Sequence, residues 1–193
     1  MIESEQDMLT QANERLTSLI SNEDSVNLFG GSNEQRTDLL DTVLGNLDQE
    51  KYQIVRSDFD GAASPDQIIE RFAQAGLEVV PDESLSSQFV ISDSIHDVAK
   101  GDKKVIVVTE NLTDYDTLKM FKGVIQKNKD REDLGEESRV IIVTSGENHP
   151  TNYRPSGDWS TPYNVGENIN LETPKQGSVK KQRFSKLRRL LKM

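Results

Sequence analysis

Apolar positions at spacings of three and four begin almost at once: Met8, Leu9, Ala12, Leu16, Leu19 and Ile20 fall on one side of a helix over residues 5–20. A short strand over 25–29 (Ser25-Val26-Asn27-Leu28-Phe29) runs into the turn Gly30-Gly31-Ser32-Asn33, and a helical pattern follows with Leu39, Leu40, Val43, Leu44 and Leu47. Residues 52–55 predict a second strand. Ser64-Pro65 then supplies a cap and a first-turn proline for a helix ending at Gly76, with Ile68, Ile69, Phe72 and Ala73 on its core face. A further helix is expected over 84–99, with Leu85, Phe89, Ser92, Ile95 and His96 in register. Residues 104–109 and 139–144 each hold a run of β-branched apolar residues, Val105–Val108 and Val140–Val143, as strands buried on both faces of a parallel sheet do, and residues 112–127 return to helix between them. Strands alternating with helices imply an α/β fold of three layers, with a mainly parallel five-stranded sheet and right-handed crossovers.

From His149 to Gly177 the texture changes to Pro, Gly, Asn, Ser and Thr, with Tyr153, Trp159 and Tyr163 as the large side chains. Residues 1–148 therefore read as the α/β domain and 149–177 as a polar linker with an edge strand at 168–172. Residues 178–193 read as a basic amphipathic helix, with Phe184, Leu187 and Leu191 on one side.

Charge sharpens this division. The tail from Lys175 onward carries eight bases and no acid, whereas residues 1–174 carry 15 bases against 33 acids. An acidic body is ill suited to holding nucleic acid, but the tail cations Lys180, Lys181, Arg183, Lys186, Arg188, Arg189 and Lys192 suit an anionic membrane surface or another polyanion. The tail packing back on the acidic body, or on a second copy, is the structural alternative. There is no Cys, so disulfide frameworks and thiolate metal sites are excluded. The longest apolar runs, Val105–Val108 and Val140–Val143 with their neighbours, are far short of the roughly 20 residues of a membrane span. The acidic start lacks the blocks of a signal peptide, so a cytoplasmic protein is expected, peripheral at the inner membrane if the tail binds there. Were the chain to continue past Met193, the basic stretch would suit the cytoplasmic flank of a span.

Candidate chemistry centres on the octet Gly30-Gly31-Ser32-Asn33-Glu34-Gln35-Arg36-Thr37, which lies between a strand and a helix, where a phosphate-binding loop G-x-x-x-x-G-K-[ST] belongs. Gly30 and Thr37 match; Arg36 stands in place of Lys, and Gln35 in place of the second Gly. The octet also suits an ordinary turn and helix cap. Residues 105–110 have the form of a metal-binding strand that ends in Asp-Glu, with Thr109 in the Asp position and Glu110 in that of the water-polarising Glu. Residues 140–144 would end in a polar sensor, Thr144.

This order of elements resembles the AAA-type P-loop ATPases, in particular the general secretion pathway protein A branch, over roughly residues 5–172. The resemblance implies a P-loop NTPase-like fold and a cytoplasmic ATPase domain at a membrane-associated assembly. The chain departs from it in replacing the Gly, Lys and Asp that hydrolysis needs, and no C-terminal lid domain is expected after the sensor strand. The expectation is a pseudo-ATPase: a scaffold or regulatory domain that docks other proteins of a membrane-associated complex, with self-association as a further option. It would hold no cofactor, or at most ATP or ADP weakly at Gly30, Gly31, Ser32, Asn33, Gln35, Arg36 and Thr37. The alternatives are a slow Mg-ATP-dependent ATPase or nucleotide-sensing switch using Arg36, Thr37, Glu110 and Thr144, and an adaptor that binds nucleic acid through its tail. His96 and His149 have no partner at a metal-ligand spacing, and the acids at Asp58-Phe59-Asp60 and around Gly135 follow no calcium-loop pattern, so no metal site is expected.

Overall fold

In the computed structural model, the described residues are 5–60, 65–78, 87–99, 101–111, 121, 124–125, 140–149, 152 and 166–172. The element order is α1 Glu5–Ser21, β1 Val26–Phe29, α2 Asn33–Gly45, β2 Tyr52–Asp58, α3 Pro65–Gln74, α4 Ser87–Val98, β3 Lys104–Glu110, β4 Val140–Gly146 and β5 Glu167–Asn170. Phe121, Val124 and Ile125 have helical backbone between β3 and β4. The sheet order is β2-β3-β4-β1-β5, and every pairing is parallel.

Alternation along the strands sends successive side chains to opposite faces, and each face carries its own core. Val105 and Val107 of β3 and Val140 and Ile142 of β4 pack with Ile68 and Phe72 of α3, Ile91 and Ile95 of α4, and Phe121 and Val124. Ile106, Val108, Ile141 and Val143 face the other way, onto Leu16 and Ile20 of α1 and Leu40 and Val43 of α2. These two helical layers around the sheet are the three layers expected.

Several boundaries differ from the sequence reading. β2 continues to Asp58, paired with β3 through Ser57 and Asp58, and β4 to Gly146, paired with β3 as far as Ser145 and with Phe29 of β1 at Gly146. Ala73 is exposed, and Leu77, just past the helix end, completes the α3 face instead. Among the side chains described in α4, Val90, Ile91, Ser94 and Ile95 are buried; the Ser94 hydroxyl donates to the Val90 carbonyl, so a small polar residue sits there without a stranded donor. The edge strand lies at 167–170, on β1, with Ile169 and then Leu171 buried. Ser64, Leu85, Trp159, Tyr153, Tyr163 and the tail 178–193 lie outside the described residues. No helix among the described residues is long and apolar enough to cross a membrane.

Candidate functional site

The carboxyl ends of parallel strands are where ligand sites of open α/β sheets form. Here β1 ends in the turn that begins α2. Gly30 and Gly31 have left-handed φ of 77° and 62°, which only glycine adopts without strain. Both are also crowded by the chain's own residues. A Cβ on Gly30 would come within 2.5 Å of Asn170 Oδ1 and 2.9 Å of the Glu172 backbone N, and one on Gly31 within 3.0 Å of Leu171 Cβ. The glycines thus admit the segment that leaves β5, which lies against the turn.

Ser32 caps α2 in a reciprocal box. Its hydroxyl accepts from Gln35 N at 3.1 Å, and the Gln35 side-chain oxygen accepts from Ser32 N at 2.7 Å. Helix therefore begins at Asn33, and Gln35, Arg36 and Thr37 belong to its first turns rather than to a loop. The Gln35 amide also donates to the Glu5 carboxylate, tying α2 to the start of α1. Arg36 is buried at 3% exposure. Its guanidinium donates to the Gly30 and Gly31 carbonyls at 3.0 and 3.1 Å and to Asn33 Oδ1 at 3.4 Å. The cation thus satisfies the carbonyl side of its own turn.

Thr37 is the residue that reaches across. Its hydroxyl donates to Glu110 Oε2 at 3.2 Å. Glu110, 10% exposed, is held side-on by Arg56 of β2, with Nε to Oε1 at 2.6 Å and Nη2 to Oε2 at 3.1 Å, while the third guanidinium nitrogen meets Asp41 of α2. The hydrogen bond to Glu110 is the largest cause holding the Arg56 guanidinium above its already high ordinary pKa; burial opposes it, and Asp41 adds to it. Just beyond, Asn111, at a φ of 56°, donates to Asp58 Oδ1 at 3.0 Å, and its backbone N–H to the Ser145 carbonyl at 2.9 Å.

Strand parity revises the reading of β3. Glu110 follows Ile106 and Val108 onto the α1/α2 face, so it is the acid beside Thr37, the place from which a metal-holding carboxylate works. Thr109 follows Val105 and Val107 onto the opposite face and is not in that place. Thr144 lies beside Thr109, also away from Glu110, so the structure does not bring Glu110 and Thr144 together. Thr144 instead belongs to a polar row that crosses all five strands in register: Ser57, Thr109, Thr144, Asn27 and Asn168. Its hydroxyl donates to Asn27 Oδ1 at 2.9 Å; Asn27 Nδ2 donates to Asn168 Oδ1 at 3.1 Å, which also accepts from His149 Nε2 at 3.1 Å. The His149 ring packs edge-on against Phe29, so this histidine joins the end of β4 to the edge of the sheet.

These contacts test the fit of a Mg-polyphosphate. A cradle needs outward backbone N–H groups, a cation facing the ligand and a carboxylate open to the metal. Here Arg36 faces inward, Glu110 already carries a guanidinium, and the Glu172 side chain lies against Gly30, where a phosphate would approach. The described arrangement does not fit the group. Arg56, Asp41, Asn27 and Asn168 were not candidates from sequence. An arginine in the polar end of β2 is a weak signal, and nothing in its neighbourhood along the chain points to an acid 54 residues away. The tail cations proposed for a polyanion lie outside the described residues.

No protein-family model matches the chain, and no curated protein matches it. Among solved structures, Cdc6p from Pyrobaculum aerophilum is similar, with 16% identity, 89% of this chain and 46% of that one covered and a TM-score of 0.57. The Aeropyrum pernix ORC2 protein, in ADPNP and ADP complexes, has 8% identity, 84% and 46% coverage and a TM-score of 0.57. A Walker-type ATPase of Pyrococcus abyssi has 12% identity, 92% and 58% coverage and a TM-score of 0.54. The chain spans about half the length of these proteins. Identities this low speak for the fold and select no branch within it. The chain has a P-loop NTPase-like α/β fold, the fold of the Cdc6p and ORC2 domains that it matches.

Proposed function

We propose that this chain is a non-catalytic member of that fold: a scaffold or regulatory domain that docks other proteins and does not turn over nucleotide. One observation carries the reading. Each side chain that would meet a Mg-nucleotide, namely Arg36, Thr37 and Glu110, is hydrogen-bonded to another part of the chain. Electrostatic stabilisation of a phosphoryl-transfer transition state requires such groups to be preorganised toward the ligand, and here Arg36 is bound to its own turn and Thr37 to Glu110. The basic tail then directs the domain to a membrane-associated assembly. The general secretion pathway protein A branch supplies one setting of that kind.

Calorimetric titration of the full chain with ATP and ADP, each with and without Mg²⁺, tests this. No heat at millimolar nucleotide is expected. Micromolar binding that disappears in Arg36→Ala overturns it and moves the reading to a slow ATPase or a nucleotide switch. A second reading rests on one neighbour, Drosophila ORC bound to AT-rich DNA and Cdc6, which has 10% identity and a TM-score of 0.52. In that reading the tail cations contact nucleic acid. Sedimentation with anionic vesicles and titration with duplex DNA separate the two: retention by vesicles supports the membrane setting, and steeply salt-dependent DNA binding lost on removal of 178–193 supports the other.

A further inference from the structure

We propose that Arg56 is a built-in cation that occupies the place a divalent metal would take in this fold, and that it closes a latent oxygen-ligand site formed by Thr37, Asp41 and Glu110. The inference deepens the non-catalytic reading and rests on it. The fold implies a metal beside the Thr that follows the phosphate loop and beside the acid at the end of a central strand. Both residues are present and in contact, Thr37 Oγ1 to Glu110 Oε2 at 3.2 Å. What lies against them is a guanidinium that meets both Glu110 oxygens and the Asp41 carboxylate. No other hydrogen bond or ion pair engages the Glu110 side chain among the described residues.

Charge and shape explain why a metal does not share the site. Asp41 and Glu110 together bring two negative charges, one of which Arg56 neutralises. A planar fork bound side-on takes one lone pair of each carboxylate oxygen and Thr37 takes a second on Oε2, so a hard cation has to displace these donors to ligate there. The arginine also comes from a different strand than the acid, so the closure ties β2, β3 and α2 together independently of any ligand. Removing it leaves the Glu110 carboxylate and the Thr37 hydroxyl in contact, with the Asp41 carboxylate on the far side of the vacated guanidinium, oxygen donors of the kind that Mg²⁺ and Mn²⁺ prefer.

Mn²⁺ is the probe, used without nucleotide and read by loss of the free-ion paramagnetic resonance signal with full-length protein. Wild type is expected to leave Mn²⁺ free at about 1 mM. Arg56→Ala is expected to take up one equivalent at least about tenfold more tightly, and Glu110→Gln in the Arg56→Ala background to abolish that uptake. Equal binding by wild type and Arg56→Ala overturns the inference, as does uptake in Arg56→Ala that survives Glu110→Gln. Should Arg56→Ala not melt cooperatively, Arg56→Gln, which keeps a hydrogen-bonding amide, is read in the same way. Should neither variant fold, wild type decides: paramagnetic broadening of the Thr37 and Glu110 amides by Mn²⁺ overturns the inference, and its absence supports it. Micromolar ATP binding by wild type that disappears in Arg36→Ala would sink the non-catalytic reading, whereas the Mn²⁺ series addresses Arg56 alone.

Discussion

Replacing Arg56 by Met strands Glu110, and the structure sets the size of the effect. Breaking a fully buried pair by removing one partner costs about 3–5 kcal/mol, because the remaining charge is left desolvated. Glu110 is 10% exposed and Arg56 28%, so water relieves part of this, and we expect about 2 kcal/mol. For a chain of this length that lowers Tm by roughly 4–8 °C. Asp41, at 58% exposure, lies on the outer side of the guanidinium, and Asp41→Asn should cost no more than about 0.5 kcal/mol. The discriminating assay is a double-mutant cycle by urea denaturation at pH 7. Arg56→Met/Glu110→Gln should be more stable than the sum of its singles predicts, by about 1.5 kcal/mol, since the second change removes the stranded charge. An Arg56→Met cost below about 0.5 kcal/mol, or an additive cycle, would refute the reasoning.

Gly30→Ala should destabilise by at least about 1–3 kcal/mol through its positive φ and its contact with Asn170 and Glu172, whereas Gly45→Ala, at the helical end of α2 with nothing within 4 Å, should stabilise by up to about 1 kcal/mol; thermal melts of the pair check both. Ser32→Ala removes the acceptor for Gln35 N and should cost about 1 kcal/mol in the same assay. Leu40→Ala, at 0% exposure between α2 and the sheet, should cost about 2–5 kcal/mol by urea denaturation, with the m-value unchanged.

The elements and their order were legible in the sequence because each is written in local periodicity. Leu16 and Ile20 share a helical face wherever that helix packs, the β-branched runs at Val105–Val108 and Val140–Val143 suit only strands buried on both faces, and S-N-E-Q after two glycines is a turn and a cap on any scaffold. The candidate site was legible only as a set of positions. Whether Thr109 or Glu110 meets Thr37 is a question of which strand face packs on α2, and a one-residue change of parity exchanges them; with both faces apolar, the sequence of β3 carries no signal to choose. The partners that decide the chemistry come from far along the chain. Arg56 reaches Glu110 from the neighbouring strand, and Asn170, Leu171 and Glu172 close over Gly30 and Gly31 because β5 adds beside β1. Composition and spacing thus determine a parallel α/β domain with a glycine turn before its second helix, since those signals lie within a few residues of one another. Tertiary pairing alone decides that the turn is filled from within and that its carboxylate already holds a cation, because hydrogen bonds between distant strands leave no periodic trace in the chain.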